Sequence, residues 1–275
     1  MNIGIVGQGF VGNAVYQKFQ KFYNVLTYDI NKKLCNSSFD NLIEECNVIF
    51  ICLPTPMNKD DGSCNISIID NVLNEINNKN KNILILIKST IAPHTTLKLN
   101  KKYTNLNINF NPEFLTEVNA ISDYNNQKRI IIGSDNNRNN KIFDFFKKVF
   151  PDAIVVCTSS INAEILKYTT NAFLSVKVSF ANEIYSICNE VGSDYSKVIE
   201  MLLMDKRIGK SHWKVPGPDG DFGYGGHCFP KDLSELVFFT DKNKTPNNVL
   251  KAAKRTNDKV RSNKDWEGME GRAVI

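Results

Sequence analysis

The feature that most constrains this chain is a series of short runs rich in isoleucine and valine, each followed by a polar stretch long enough for a helix. The runs fall at residues 3–6, 25–28, 48–53, 83–87, 108–110, 130–132 and 154–156. Strands of this kind, apolar on both faces, belong in a parallel sheet covered by helices on each side. A doubly wound α/β domain is therefore expected over residues 1–157. From residue 161 the period changes, because Ile161, Ile165, Phe173, Val176, Phe180, Ile184, Ile187 and Val191 recur in steps built from threes and fours. One long amphipathic helix is expected there. It opens an all-α domain over 158–262, with shorter helices near 195–203, 231–240 and 246–261 and a glycine-rich loop at 217–226. Residues 263–275 form a tail, in which Gly268–Ile275 are too few to form a unit of their own.

With 275 residues, of which 42% are hydrophobic and 23% charged, the chain can bury a full core. Its seven cysteines are an odd number and never form a CxxC pair, so neither a disulfide framework nor a metal site is expected. The net charge of +5 is modest and the lysines are scattered, which argues against a nucleic-acid partner. No apolar run approaches the roughly 20 residues of a membrane span. The N-terminus enters a strand-like run without the layout of a signal peptide, so the cytosol is the expected compartment.

Gly7-Gln8-Gly9-Phe10-Val11-Gly12 follows the first run directly and precedes a helix-compatible segment. In such a turn the first glycine permits a tight bend, the second lets backbone approach a pyrophosphate and the third lets helix pack on strand. Amides at the helix start then face the phosphates. Asp29 ends the second run, where an acid accepts from ribose hydroxyls and repels a 2′-phosphate, so NAD is expected in preference to NADP. A turn-forming glycine cluster beside a surface aspartate is the competing reading.

Cys228 lies in Gly225-Gly226-His227-Cys228-Phe229-Pro230-Lys231-Asp232, after the flexible loop and before an expected helix. A helix N-terminus and a nearby cation such as Lys231 stabilise a thiolate and make it nucleophilic. Taken alone, such a cysteine is also compatible with a buried structural role. Lys167 and Asn171 are four residues apart on the long helix and so project from one face. Asn111 and Pro112 read as an N-cap and first-turn pair, which would place Glu113 and Glu117 together on a helical face.

The octapeptide Gly225–Asp232 resembles the active-site motif of the UDP-glucose/GDP-mannose dehydrogenase family. Other segments agree in order: Asn111-Pro112-Glu113-Phe114-Leu115-Thr116-Glu117, the helix start from Glu164 to Phe173, Leu53-Pro54-Thr55-Pro56 with Asp61-Gly62-Ser63, and Lys88-Ser89-Thr90. The resemblance covers nearly the whole chain, from Met1 to about Asp258. It implies a Rossmann-like NAD domain followed by a central domain whose long helix dimerises. Its cofactor contacts would be Gly7, Gly9, Phe10, Val11, Gly12, Asp29, Pro54, Thr55 and Thr90. Cys228, Lys167, Asn171, Asp232, Glu113 and Thr90 would be catalytic, although Thr90 equally fits an ordinary turn. Glu113, Phe114, Leu115, Glu117, Lys167, Asn171, Gly225 and Lys231 would meet the nucleotide sugar, joined by Arg207 from a neighbouring subunit.

The reaction so implied oxidises a sugar primary alcohol to a carboxylate by two hydride transfers, with Cys228 holding the aldehyde as a thiohemiacetal and then a thioester. UDP-glucose is the expected substrate, another UDP- or GDP-sugar the second choice, since His227 resembles the N-acetylhexosamine branch. A smaller alcohol substrate and a nucleotide-binding protein without turnover are the competing classes. Retention of a thiol beside a lysine and two carboxylates speaks against the last. Members of the family continue into a second nucleotide-gripping domain, of which Gly271–Ile275 resembles only the first strand. Weak nucleotide affinity, or a surface supplied by another subunit or polypeptide, is the corresponding expectation.

Overall fold

The computed structural model describes residues 1–79, 82–135 and 139–275. Its elements are β1 (Asn2–Val6), α1 (Phe10–Phe19), β2 (Asn24–Tyr28), α2 (Phe39–Glu45), β3 (Val48–Ile51), α3 (Ser67–Asn78), β4 (Leu84–Ile87), α4 (Thr95–Lys102), β5 (Asn107–Phe110), α5 (Ala120–Asn125), β6 (Arg129–Gly133), α6 (Asn139–Val149), β7 (Ile154–Thr158), α7 (Ser160–Glu190), α8 (Tyr195–Leu202), α9 (Cys228–Lys242) and α10 (Asn248–Val260). Two compact units emerge, one of Met1–Thr55 with Ile66–Lys167 and one of Pro56–Asn65 with Tyr168–Ile275. Among the described residues no helix is long and apolar enough to cross a membrane.

In the first unit the strands form one sheet in the order β2-β1-β3-β4-β5-β6-β7. Successive residues of each strand face opposite sides. Val6, Ile49 and Ile51 accordingly pack with Leu42 of α2 and Leu73 of α3. Ile3, Ile5 and Phe50 pack on the other side, with Phe19 of α1 and Phe146 of α6. A sheet buried between two helical layers is the arrangement expected of the isoleucine-rich runs.

The sheet departs from that expectation at one side. β5 and β6 are antiparallel and meet at a single pair, Phe110 with Gly133. β7 is an edge strand on which Ile154 is 68% exposed. Apolar runs report burial of a strand and carry no information on its direction, so the reversal left no mark in the pattern.

A second departure concerns residues 111–119, which are irregular, with helix α5 beginning only at Ala120. Asn111 does not cap a helix because its side chain is committed to the sheet: it donates to the Ile131 carbonyl (2.8 Å) and accepts from Lys88 Nζ (2.9 Å). Glu113 and Glu117 therefore do not share a helical face, and Glu117 lies exposed.

The long helix expected from residue 161 is present as α7, but many of its buried positions are polar while much of its apolar stripe stays exposed. Its fully or nearly buried positions include Ala163, Glu164, Lys167, Asn171, Ser175, Ser179 and Asn182. Phe173, Phe180, Ile187 and Val191 are 50–70% exposed. Val176 and Ile184 are half-buried, packed in clusters around Leu233 and Trp213 respectively. In the second unit the tail folds back, with Trp266, Ala273 and Val274 buried against Met57 and Met269.

Glu164 shows how the polar face of α7 is used. Within the first unit its carboxylate accepts from His94 N (2.7 Å), Thr96 N (2.8 Å) and Thr96 Oγ1 (2.6 Å), closing the start of α4. Losing it leaves buried donors unanswered, so Glu164→Ala is expected to cost about 3 kcal/mol. Glu164→Gln should recover only part, because its amide nitrogen would face donors. Urea unfolding of the three proteins checks this, and a loss below about 1 kcal/mol for the alanine variant would contradict the capping role.

Candidate functional site

The Gly7–Gly12 turn joins β1 to α1. Gly7 has φ +92°, and a side chain there would collide with the Cys52 carbonyl; one at Gly12 would collide with the Gly7 carbonyl. Gly9 faces open space, so a ligand can approach its backbone closely. Asp29 accepts from Gln8 N (2.6 Å), which fixes the acid beside the turn. Phe10 and Val11 are half-buried at the start of α1. This cradle fits a dinucleotide: an anion over the open backbone, and a carboxylate next to it for ribose hydroxyls.

Still in the first unit, polar groups collect just beyond the C-terminal ends of β3, β4 and β5, the edge where ligands bind in open α/β sheets. Thr55 Oγ1 donates to the Thr90 carbonyl (2.8 Å), while Pro54 is exposed. Glu113 Oε1 pairs with Lys167 Nζ at 3.0 Å, both side chains being buried, and Glu113 Oε2 accepts from Leu115 N (2.7 Å). Phe114 lies under Lys167 and Arg129 as a cation–π partner. Lys88 is buried behind this group, donating to the Asn111 carbonyl (3.1 Å) and side chain. Burial pulls its ammonium down to about 8, against the opposing pull of Cys52 and Glu113, and Lys167 lowers it further.

The second unit holds the cysteine. Cys228 is the first residue of α9, and His227 at the N-cap makes no side-chain capping bond. One turn later Asp232, 1% exposed, accepts from Lys231 Nζ through Oδ1 and from Asn171 Nδ2 through Oδ2, each at 2.5 Å. Burial works against the Lys231 charge, but Asp232, Cys64 and Cys228 outweigh it and raise the ammonium above its usual range. Glu235, on the same face one turn from Lys231, accepts from the Cys64 backbone. Its carboxyl is pushed up to about 7, chiefly by burial, with Asp232 and Asp61 adding and Cys64 N and Lys231 opposing.

Asp232 is thus joined to Lys231 and Asn171, and Glu113 to Lys167. Arg207 stands apart, its side chain 88% exposed and paired with its neighbour Asp205. Glu235 and Cys64 belong to the α9 cluster without having been singled out from the sequence. For Glu235 a signal existed: it lies four residues after Lys231 on an expected helix, hence on the same face.

Two family models match the chain. The UDP-glucose/GDP-mannose dehydrogenase family NAD binding domain matches residues 31–153, and the same family's central domain matches 161–259. The chain belongs to the UDP-glucose/GDP-mannose dehydrogenase family. It is 32% identical over 231 residues to the UDP-glucose 6-dehydrogenase of Rickettsia bellii, covering 80% of this chain and 51% of that protein. With the UDP-glucose 6-dehydrogenase TuaD of Bacillus subtilis it shares 33% over 227 residues, 80% of this chain and 48% of the relative. A UDP-glucose dehydrogenase from Pyrobaculum islandicum superposes with a TM-score of 0.83 at 25% identity, over 94% of this chain and 68% of that one. The chain spans about half the length of the curated relatives it matches. The NAD-binding match begins two residues after Asp29, so the case for the Gly7–Gly12 turn rests on its geometry.

The Glu235 carboxyl makes a prediction for this family member. Its folded value near 7 lies above the ordinary 4.5, so its stabilising contribution is full below about 4.5 and is lost as pH rises through 7. Relative to Glu235→Gln, which does not titrate, the natural protein should lose stability on the order of 2–3 kcal/mol between pH 4.5 and 8. Urea unfolding of both proteins across that range tests it, and a constant difference would contradict it.

Proposed function

We propose that this chain carries the catalytic machinery of a cytosolic, NAD-dependent nucleotide-sugar 6-dehydrogenase that converts UDP-glucose to UDP-glucuronate through Cys228. The observation that carries this reading is the buried Lys231–Asp232–Asn171 chain one helical turn from a cysteine at the start of α9. A structural cysteine has no need of such a neighbourhood, whereas a thiol nucleophile requires a helix terminus and a cation to hold its charge.

The Gly7–Gly12 turn and Asp29, with Pro54, Thr55 and Thr90, would hold NAD, which supplies a hydride acceptor when bound. At each of two oxidations the substrate carbon gives up a hydride and its hydroxyl gives up a proton to a nearby base or to solvent. Between them the Cys228 sulfur adds to the aldehyde carbon and the carbonyl oxygen takes up the thiol proton, giving a thiohemiacetal; loss of the second hydride together with the hydroxyl proton leaves a thioester. Water then attacks the carbonyl, the C–S bond breaks, the carboxylate departs and the thiol is restored. Lys167 and Asn171 each engage one carboxylate, and both are N–H donors that would face an oxygen that develops charge. Glu113 and Asp232 are the carboxylates available to orient and deprotonate water. Phe114, Leu115, Glu117, Gly225 and Lys231 are assigned to substrate binding. The names of the curated relatives support UDP-glucose ahead of other UDP- or GDP-sugars.

We further propose a homodimer through α7, whose exposed face repeats Phe173, Phe180 and Ile187 at intervals of seven. A helix that buries serines and leaves phenylalanines exposed matches an apolar partner surface, and a second copy supplies one along the same stripe. Arg207, exposed on one copy, would then act at the sugar site of the other.

Cys228→Ala should abolish acid formation while leaving NAD affinity unchanged, and the natural protein should yield two NADH per UDP-glucose consumed; one NADH per turnover, or acid formed by the alanine variant, would refute the thioester route. Sedimentation should give a dimer that Phe180→Glu converts to monomer, and a monomeric natural protein at micromolar concentration would remove both the dimer and the Arg207 assignment.

A further inference from the structure

The loop before Cys228 is unusually costly to order. Gly220, Gly223 and Gly226 all have φ between +69° and +83°, and glycine loses more conformational freedom on ordering than any other residue. Something must hold such a segment, and α9 does not do it through its own cap, since His227 makes no side-chain capping bond.

The hold comes from residues well beyond the loop. Asn257 of α10 accepts from Tyr224 N (2.7 Å) and donates to the Tyr224 carbonyl (3.0 Å). Asp265, in the turn after α10, accepts from Gly226 N through both carboxylate oxygens (3.0 and 3.2 Å). Asp265 is itself held by Arg261 Nη2 at 3.2 Å. The Arg261 side chain, only 2% exposed, also pairs with Asp219 at 2.7 Å and donates to the Asn263 carbonyl at 2.7 Å. The fit is close enough that a side chain on Gly225 would collide with both the guanidinium and the Asp265 carboxylate.

We propose that Asp265, fixed by Arg261, is a positioning residue for Cys228, gripping the Gly226 N–H two residues before the thiol so that α9 starts in one place. The idea rests on the reading of Cys228 as the nucleophile. Two physical consequences favour it. A carboxylate on an amide just ahead of a helix suits the positive end of the dipole. Arg261, shared with Asp219 and Asp221, holds the Asp265 carboxylate in one orientation toward the Gly226 N–H.

The test uses the full chain, with Asp265→Ala, which removes the acceptor, and Asp265→Asn, which keeps an oxygen for Gly226 N–H. For the alanine variant we expect amide exchange in 222–228 to accelerate at least tenfold with α8 unchanged, and iodoacetamide labelling of Cys228 at pH 7 to slow at least threefold while Cys35 stays at its natural rate. NADH formation should fall at least tenfold in kcat with KM for NAD unchanged. The asparagine variant should recover each to within threefold. In the natural protein the Gly226 amide should be protected at least a hundredfold, a measurement that needs no variant. An unprotected Gly226, or natural exchange and labelling in Asp265→Ala, would overturn the proposal. Because exchange and labelling do not require turnover, inactivity of the natural protein would sink the dehydrogenase reading alone.

Discussion

The structure depends above all on the polar face that α7 turns inward. A buried polar atom left without a partner costs as much as several favourable contacts return, so each such residue dictates what must lie beside it. Glu164 takes the amides that open α4, Lys167 takes Glu113, and Asn171 takes Asp232. Further along, Ser179 donates to the Ala253 carbonyl and Asn182 accepts from Gly223 N. The helix is thus a rail of specific demands, and Lys167 and Asn171 with the Glu113 and Asp232 that answer them are four of the six residues assigned to catalysis. Much of the apolar stripe that drew attention to the helix stays exposed, at Phe173, Phe180, Ile187 and Val191.

The legibility of the sequence follows from how local each feature is. The Gly7–Gly12 turn, Asp29 and the placement of Cys228 at a helix start depend on neighbours within one strand or one turn, and all could be read directly. The antiparallel step to β6 was invisible because burial of a strand does not encode its direction. Asn111 looked like a cap because asparagine before proline usually is one; it behaves otherwise because Lys88 and the Ile131 carbonyl, 20 or more residues away, claim its side chain first. Glu235 and Cys64 are 171 residues apart, and Asp265 and Gly226 are 39 apart. No periodicity links such pairs.

The buried charges share a common logic. Lys167 with Glu113 and Lys231 with Asp232 are ion pairs withdrawn from water, and desolvation consumes much of what their attraction returns. Apolar residues of similar volume would serve stability as well. Such pairs make sense where a proton donor, a general base or a hydrogen-bond donor must be held ready in a dry place, since low dielectric strengthens any interaction with a developing charge. Glu235 extends the second pair and gives the α9 cluster a carboxyl near its changeover at neutral pH.

Lys88 shows how the fold and this chemistry are tied together. β5 and β6 share a single residue pair, so the sheet is thinnest where the chain leaves β5 toward Glu113. The buried ammonium takes both oxygens of Asn111, whose amide reaches on to the Ile131 carbonyl of β6, and this polar chain supplies cross-strand links that the backbone ladder lacks. Holding Asn111 also fixes the base of the segment that presents Glu113 to Lys167. A buried lysine drawn down to about 8 is a poor choice for stability alone. Its value lies in the three donors of an ammonium, which a neutral side chain of the same length cannot match. The cost of burying that charge is therefore borne at the one place where it also orients a carboxylate assigned to the reaction.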